Sequence, residues 1–155
     1  MKATDVRCEV IEILEVLKHA GIKAGDAVLD FGCGPGDYAI PAAVLVGKEG
    51  VVYALDTDKR KLGEVKEKAV ERRLENILVL SRLRNGSIGM KEESLNVVLL
   101  FDILHRYYFP SEESRSKVLR DVYRLLKPGA LLLVHPTHID QSKLTGEIVH
   151  AGFEF

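Results

Sequence analysis

The sequence has no tryptophan, and only five tyrosines and five phenylalanines among 155 residues. So thin an aromatic set does not furnish the stacking platform that holds single-stranded nucleic acid. Cysteine is scarcer still. Cys8 and Cys33 form no disulfide framework and lack paired metal-ligand spacing. A reducing, cytoplasmic setting is the expectation. No apolar run reaches the roughly 18 residues that a membrane span needs. The N-terminus carries Lys2, Asp5 and Arg7 and lacks the apolar core of a signal peptide. Charge of one sign is also missing. With 22 basic and 23 acidic side chains the net charge is −1, so no field draws a polyanion and nothing favours a nucleic-acid partner. Repeats, linkers and low-complexity tracts are absent. What remains is a globular mix, 46% hydrophobic and 29% charged, of a size that suits one domain over residues 1–155.

Within that frame, helical and strand patterns alternate. Val6, Val10, Ile13, Leu17 and Ala20 recur at helical spacing until Gly21. Residues 27–31 form a short apolar strand that breaks into glycines, and 37–46 read as a mostly apolar helix. A second strand, 51–55, leads to a charged helix from about Asp58. Strands follow at 77–80 and 95–101, the latter nearly continuous in apolar residues, as expected when both faces are covered. Ser111 caps the next helix, whose buried stripe is Val118, Val122 and Leu125 and whose end is Lys127-Pro128-Gly129. A fifth strand, 130–134, and a helix over 141–150 complete the pattern. Alternation of this kind predicts an α/β, doubly wound, mainly parallel sheet. Ligands then bind outside the carboxyl ends of the strands.

One such end is Asp30-Phe31-Gly32-Cys33-Gly34-Pro35-Gly36-Asp37. Alternating glycines permit positive φ and let a ligand approach the backbone. Asp56 closes the second strand 20 residues after Gly36, where a carboxylate can accept from both hydroxyls of a ribose. A dinucleotide oxidoreductase is the rival reading. It fits less well, because the third glycine comes one residue early for GxGxxG. Asp37 also stands at the helix start, where it would repel a pyrophosphate.

This stretch resembles motif I of class I S-adenosylmethionine-dependent methyltransferases, an acidic residue followed by GxGxG. The resemblance extends along the chain through "VVYALDTD", "SLNVVLLFDILHRYY", "VLRDVYRLLKPGALLLV" and "EIVHAGFEF". It implies a Rossmann-like methyltransferase fold, S-adenosyl-L-methionine as cofactor, and a cofactor site with roles carried residue by residue. Asp30 organises the loop near the methionyl amino group. Gly32, Gly34 and Gly36 line the cofactor, Asp56 holds the ribose, Thr57 or Asp58 borders the adenine, and Phe101 lies beside the cofactor. The family's acidic residue after the third strand maps near Leu83, within a stretch that has no carboxylate. Backbone groups, Ser81 or Asn85 are the substitutes there.

A sulfonium activates its own methyl group, so the protein has mainly to align an acceptor. Base candidates cluster after the fourth and fifth strands: His105 and Tyr107, then His135, with Asp102, Tyr108, His138 and Asp140 nearby. No metal is expected from these spacings. The short segments around the site suit a small-molecule acceptor, or a larger partner that completes the pocket. Gly152–Phe155 can begin a sixth strand, and no residues follow for an antiparallel seventh. The abbreviated end makes a homodimer through the C-terminal sheet edge a candidate. A non-catalytic S-adenosylmethionine-binding or interaction protein of the same fold is the alternative function.

Overall fold

The computed structural model describes residues 6–81 and 87–155. In chain order the elements are α1 (Val6–His19), β1 (Ala27–Phe31), α2 (Ala39–Val46), β2 (Val51–Leu55), α3 (Lys59–Glu71), β3 (Ile77–Leu80), β4 (Leu95–Phe101), α4 (Glu112–Leu125), β5 (Leu126–His135) and α5 (Gln141–His150). The five strands are parallel and lie in the order β3-β2-β1-β4-β5. This is the doubly wound architecture expected from the sequence.

Burial explains why the central strands are so apolar. Val28, Leu29 and Val97–Leu100 are at most 1% exposed, because helices cover both faces of the sheet. Successive strand residues point to opposite faces. Val28, Val52, Ala54, Val97 and Leu99 face a cluster with Leu17 of α1, Ala39, Ala42 and Val46 of α2, and Leu62 and Val65 of α3. Leu29, Phe31, Val98 and Leu100 face Val118, Leu119 and Val122 of α4 and Leu144 and Ile148 of α5. Side-chain caps set the helix starts. Asp58 accepts from the Arg60 amide, Ser111 and Ser114 cap reciprocally, and Asp140 accepts from the Lys143 amide.

Strand β1 pairs with β2 on one side and β4 on the other. The chain winds outward from β1 to β3, then crosses back to start β4 beside β1. That reversal opens a crevice at the carboxyl ends of β1 and β4, where open α/β sheets bind ligands.

Two boundaries differ from the sequence expectation. Helix α4 ends at Leu125, and the Lys127-Pro128-Gly129 turn belongs to β5. Leu126 pairs with Leu95 and the next partners are Val97 and Leu131, so the turn is a bulge in the ladder, with Gly129 at φ +74°. Asn96 anchors it. Its Oδ1 accepts from the Ala27 amide and from Lys127 Nζ, both at 3.0 Å. The expected sixth strand does not form at 152–155. Gly152 turns the chain at φ +103°, and Phe153 packs edge-on against Tyr123 of α4, ring centroids 5.2 Å apart, instead of alongside β5. Among the described residues β5 therefore has one ladder only, to β4. No helix among them is long and apolar enough to cross a membrane.

Candidate active site

The glycine loop leaves β1 at the crevice, and all three of its glycines lie in the left-handed region, with φ of +79° at Gly32, +52° at Gly34 and +91° at Gly36. Crowding adds a second constraint at Gly32 and, less severely, at Gly36, where a Cβ would stand 3.1 Å from Val65 Cγ2. A Cβ on Gly32 would stand 2.6 Å from Ile103 Cδ1, whereas one on Gly34 would meet no atom within 4 Å. Gly34 thus borders open space. The loop hangs from β2: the Gly32 and Cys33 amides donate to the Leu55 carbonyl at 2.8 and 3.0 Å. Lys68 of α3 steadies the far side, donating from Nζ to the Pro35 carbonyl at 2.7 Å. Cys33 is buried and its thiol is pushed up to about 12, chiefly by that burial, so it is a packing residue and no nucleophile.

Asp56 closes the loop from the β2 side. Its Oδ2 accepts from the Gly34 amide and its Oδ1 from the Asp58 amide, both at 2.8 Å. Each carboxylate oxygen keeps a lone pair for a ligand hydroxyl. Thr57 beside it is exposed, and Asp58 is committed to capping α3 and to Arg60. Beneath the loop Asp30 is 2% exposed, and its Oδ2 has no hydrogen-bond partner. Burial raises its carboxyl to about 7, against the opposing pull of the Ala39 amide and with help from Asp37 and Asp56. Unpaired buried carboxylate oxygens are costly, so this one marks a place where a donor is wanted.

Phe101 ends β4 on the opposite wall. Tyr38 meets its ring edge-on at 4.7 Å, and His135 does so at 6.3 Å. Tyr38 joins the site without having been singled out from sequence. Its phenol is held above its ordinary range by partial burial and then by the negative charges of Asp102, Asp30 and Asp37. The only sequence signal was its place two residues after Gly36, where it takes the N-cap position of α2 and makes no side-chain cap.

A second cavity of about 490 Å³ lies beyond Phe101, lined by Asp102, His105, Arg106, Tyr107, Tyr108 and His138. That volume suits a small ligand. The His105 ring stands 4.9 Å from Tyr108 and 5.9 Å from His138, and Tyr107 and Tyr108 are perpendicular at 5.1 Å. Asp102 and His138 hold φ of +58° and +56°, so both segments carry backbone strain of the kind that gathers at functional sites. The Tyr107 amide donates to His105 Nδ1 at 3.2 Å. Nδ1 is then the unprotonated nitrogen, and neutral His105 carries its proton on Nε2.

The structure therefore brings Asp30, Gly32, Gly34, Gly36, Asp56 and Thr57 together on one side of the crevice, with Phe101 facing them. His105 and Tyr107 share the second cavity. His135 does not. It sits over Phe101 and lines a groove along β5, and His138 takes the place beside His105. Helical phase cannot reveal this, because residues 136–140 are a loop. Leu83, Arg82, Arg84 and Asn85 lie outside the described residues. Among the described residues no group of three His, Cys, Asp or Glu side chains is arranged to hold a metal ion.

A family model described as a methyltransferase domain matches residues 28–129, from β1 through the β5 bulge. The chain belongs to the methyltransferase-domain family. Its motif order and sheet mark this methyltransferase domain as class I. It is 27% identical over 137 residues to a demethylmenaquinone methyltransferase of Lactobacillus johnsonii, covering 88% of this chain and 52% of that protein. It is 30% identical over 130 residues to a 2-phytyl-1,4-naphtoquinone methyltransferase of Synechococcus elongatus, covering 83% and 53%. The chain thus spans about half the length of these relatives. Among solved structures, a SAM-dependent methyltransferase from Aquifex aeolicus superposes with a TM-score of 0.76 at 24% identity, covering 96% of this chain and 83% of that one. At that identity the likeness speaks for the fold.

Proposed function

We propose that this methyltransferase domain binds S-adenosyl-L-methionine in the crevice between the glycine loop and Phe101, and transfers its methyl group to a small-molecule acceptor in the neighbouring cavity. The observation that carries the reading is the buried Asp30 Oδ2 without a partner, set under a loop whose Gly34 faces open space. The residues present fit the cofactor. Asp30, Asp56 and Asp102 bias the crevice toward negative charge, with Asp37 offset by Lys68 at 3.5 Å, which suits a ligand bearing an ammonium and a sulfonium better than a pyrophosphate. When bound, S-adenosyl-L-methionine supplies an activated methyl group. Asp30 then pairs with the ammonium, Asp56 accepts from the ribose hydroxyls, and Thr57 borders the adenine. Gly34 keeps the approach clear, Gly32 and Gly36 let the loop pack against Ile103 and against Val65 and Ile40, and Phe101 walls it toward the acceptor.

On the acceptor side, His105 presents an Nε2–H that donates to an acceptor oxygen, while His138 and Tyr107 are the groups available to take or relay a proton. His135 guards the β5 side of Phe101. Flat rings line this cavity, so the naphthoquinone ring in the name of the Synechococcus relative directs the first acceptors to try. The reading treats residues 1–155 as one domain in a cytoplasmic setting. It leaves pairing of two copies through β5 as the candidate assembly, supported by the single ladder on that strand. Calorimetry with S-adenosyl-L-methionine and NAD tests the cofactor, and transfer of a labelled methyl group to hydroxylated naphthalenes or a cell extract tests the activity. Binding of NAD with no binding of S-adenosyl-L-methionine would overturn it. No labelled product under any condition would favour the non-catalytic alternative.

A further inference from the structure

The least expected feature outside the crevice is a buried ion pair. Arg115 of α4 and Glu147 of α5 are 3% and 7% exposed within the apolar cluster of Val118, Leu119, Leu144 and Ile148. The pair is bidentate, Nε to Oε2 and Nη2 to Oε1 at 2.7 Å each. Such a pair adds little net stability over apolar residues of the same size, because desolvation offsets the attraction. Packing alone does not call for it. The guanidinium makes one further bond, however. Nη1 donates to the Phe109 carbonyl at 3.1 Å.

Phe109 closes the turn that carries His105. The Tyr108 and Phe109 amides both donate to the His105 carbonyl, at 3.2 and 2.9 Å, and that turn aims the Tyr107 amide at His105 Nδ1. Glu147 lies two helical turns after Asp140, the cap of α5, and His138 stands just before that cap. The ion pair thus ties together the two segments whose histidines meet at 5.9 Å.

We infer that Arg115, held by Glu147, is a positioning residue that fixes the His105–Phe109 turn and with it the tautomer of His105. This rests on the reading of the second cavity as the acceptor site. Neither side chain touches the cavity. They act through the Phe109 carbonyl, which apolar replacements cannot engage.

The test uses the full chain and the paired variant Arg115→Met/Glu147→Leu, which removes both charges and keeps the volume. Arg115→Lys serves as the second variant, retaining a cation for Glu147 but not the fork that also reaches Phe109. In nitrogen-15 NMR at pH 8, wild-type His105 is expected to show one tautomer with the proton on Nε2. Both variants are expected to show a mixture, with amide exchange at Tyr107–Phe109 faster by about tenfold or more. S-adenosyl-L-methionine affinity by calorimetry should stay within about twofold of wild type, since the clamp lies away from the glycine loop. A single unchanged tautomer and unchanged exchange in a folded variant would overturn the inference, as would a wild-type His105 protonated on Nδ1. Loss of cofactor binding in both variants would also overturn it, since it would indicate general damage. If the wild type itself bound no S-adenosyl-L-methionine, the functional reading would fail while the tautomer and exchange data still decided the clamp.

Discussion

The two sides of the crevice are built on different physics. On the β1–β2 side the bordering groups are backbone amides and carboxylates locked by short hydrogen bonds: Gly32 and Cys33 to Leu55, Gly34 to Asp56. On the β4–β5 side they are exposed rings on loops, with Tyr107 at 84% and Tyr108 at 50% exposure, held by one turn and a remote ion pair. A site with one fixed and one adaptable wall matches a domain that keeps one cofactor while its acceptor varies. Sites on loops tolerate change that sites on strand ends do not.

The largest effect is expected at Gly32, on the fixed wall. Its positive φ and its contact with Ile103 make Gly32→Ala cost about 2–4 kcal/mol in urea unfolding, strain and overpacking combined. Gly34→Ala, with open space around it, should cost about 1–2 kcal/mol, and equal losses at the two positions would refute the distinction. On the adaptable wall, His138→Ala should lower methyl transfer by about 100-fold if it serves as the base, with the fold and cofactor affinity intact. A matching fall in cofactor affinity would show that the walls are not separate. Asp56→Ala should do the opposite, weakening S-adenosyl-L-methionine by about 1–3 kcal/mol in calorimetry through lost ribose hydrogen bonds.

The smallest effect follows from pH. With its carboxyl raised to about 7, Asp30 is largely neutral at pH 6 and charged at pH 8. The affinity for a cationic cofactor should therefore be about tenfold weaker at pH 6 than at pH 8, and Asp30→Asn should flatten the dependence. The sign for folding is the reverse. Between pH 4 and 7 the empty folded chain holds a proton that the unfolded chain releases, so stability from this group is lost as pH rises through about 7. Asp30→Asn should raise the Tm of the empty protein at pH 8 and change it little at pH 4. An unchanged pH profile in calorimetry of the wild type would remove Asp30 from the ammonium role.

Much of the fixed wall was legible because its determinants are local. A strand that runs into alternating glycines, with an aspartate one strand later, encodes its own geometry, and the three positive φ values follow from residue type. The Ser111 cap was equally local, whereas Asp58 was read only as a helix start and adenine neighbour and Asp140 as a base candidate, and the structure makes both of them caps. The adaptable wall was legible only as a set of candidates. His105, Tyr107, Tyr108, His135 and His138 were all visible, but which of them meet depends on how two loops fold over separate strands. Tyr38 was missed because its role comes from Phe101 and Asp102, 63 and 64 residues away. The α4–β5 boundary was misjudged for a related reason. Lys-Pro-Gly reads as a helix stop, and only the pairing of Leu126 with Leu95 draws it into the sheet.

By itself the sequence determined the order of helices and strands, the parallel sheet and the glycine loop with the Asp56 carboxylate one strand later, because periodicity and glycine conformation act over a few residues. Tertiary structure alone decided that Asp30 is buried with its Oδ2 lacking a donor, that His138 and not His135 stands beside His105, and that Arg115 reaches the Phe109 carbonyl. Those facts depend on burial and on contacts between segments far apart in the chain, which no local pattern encodes.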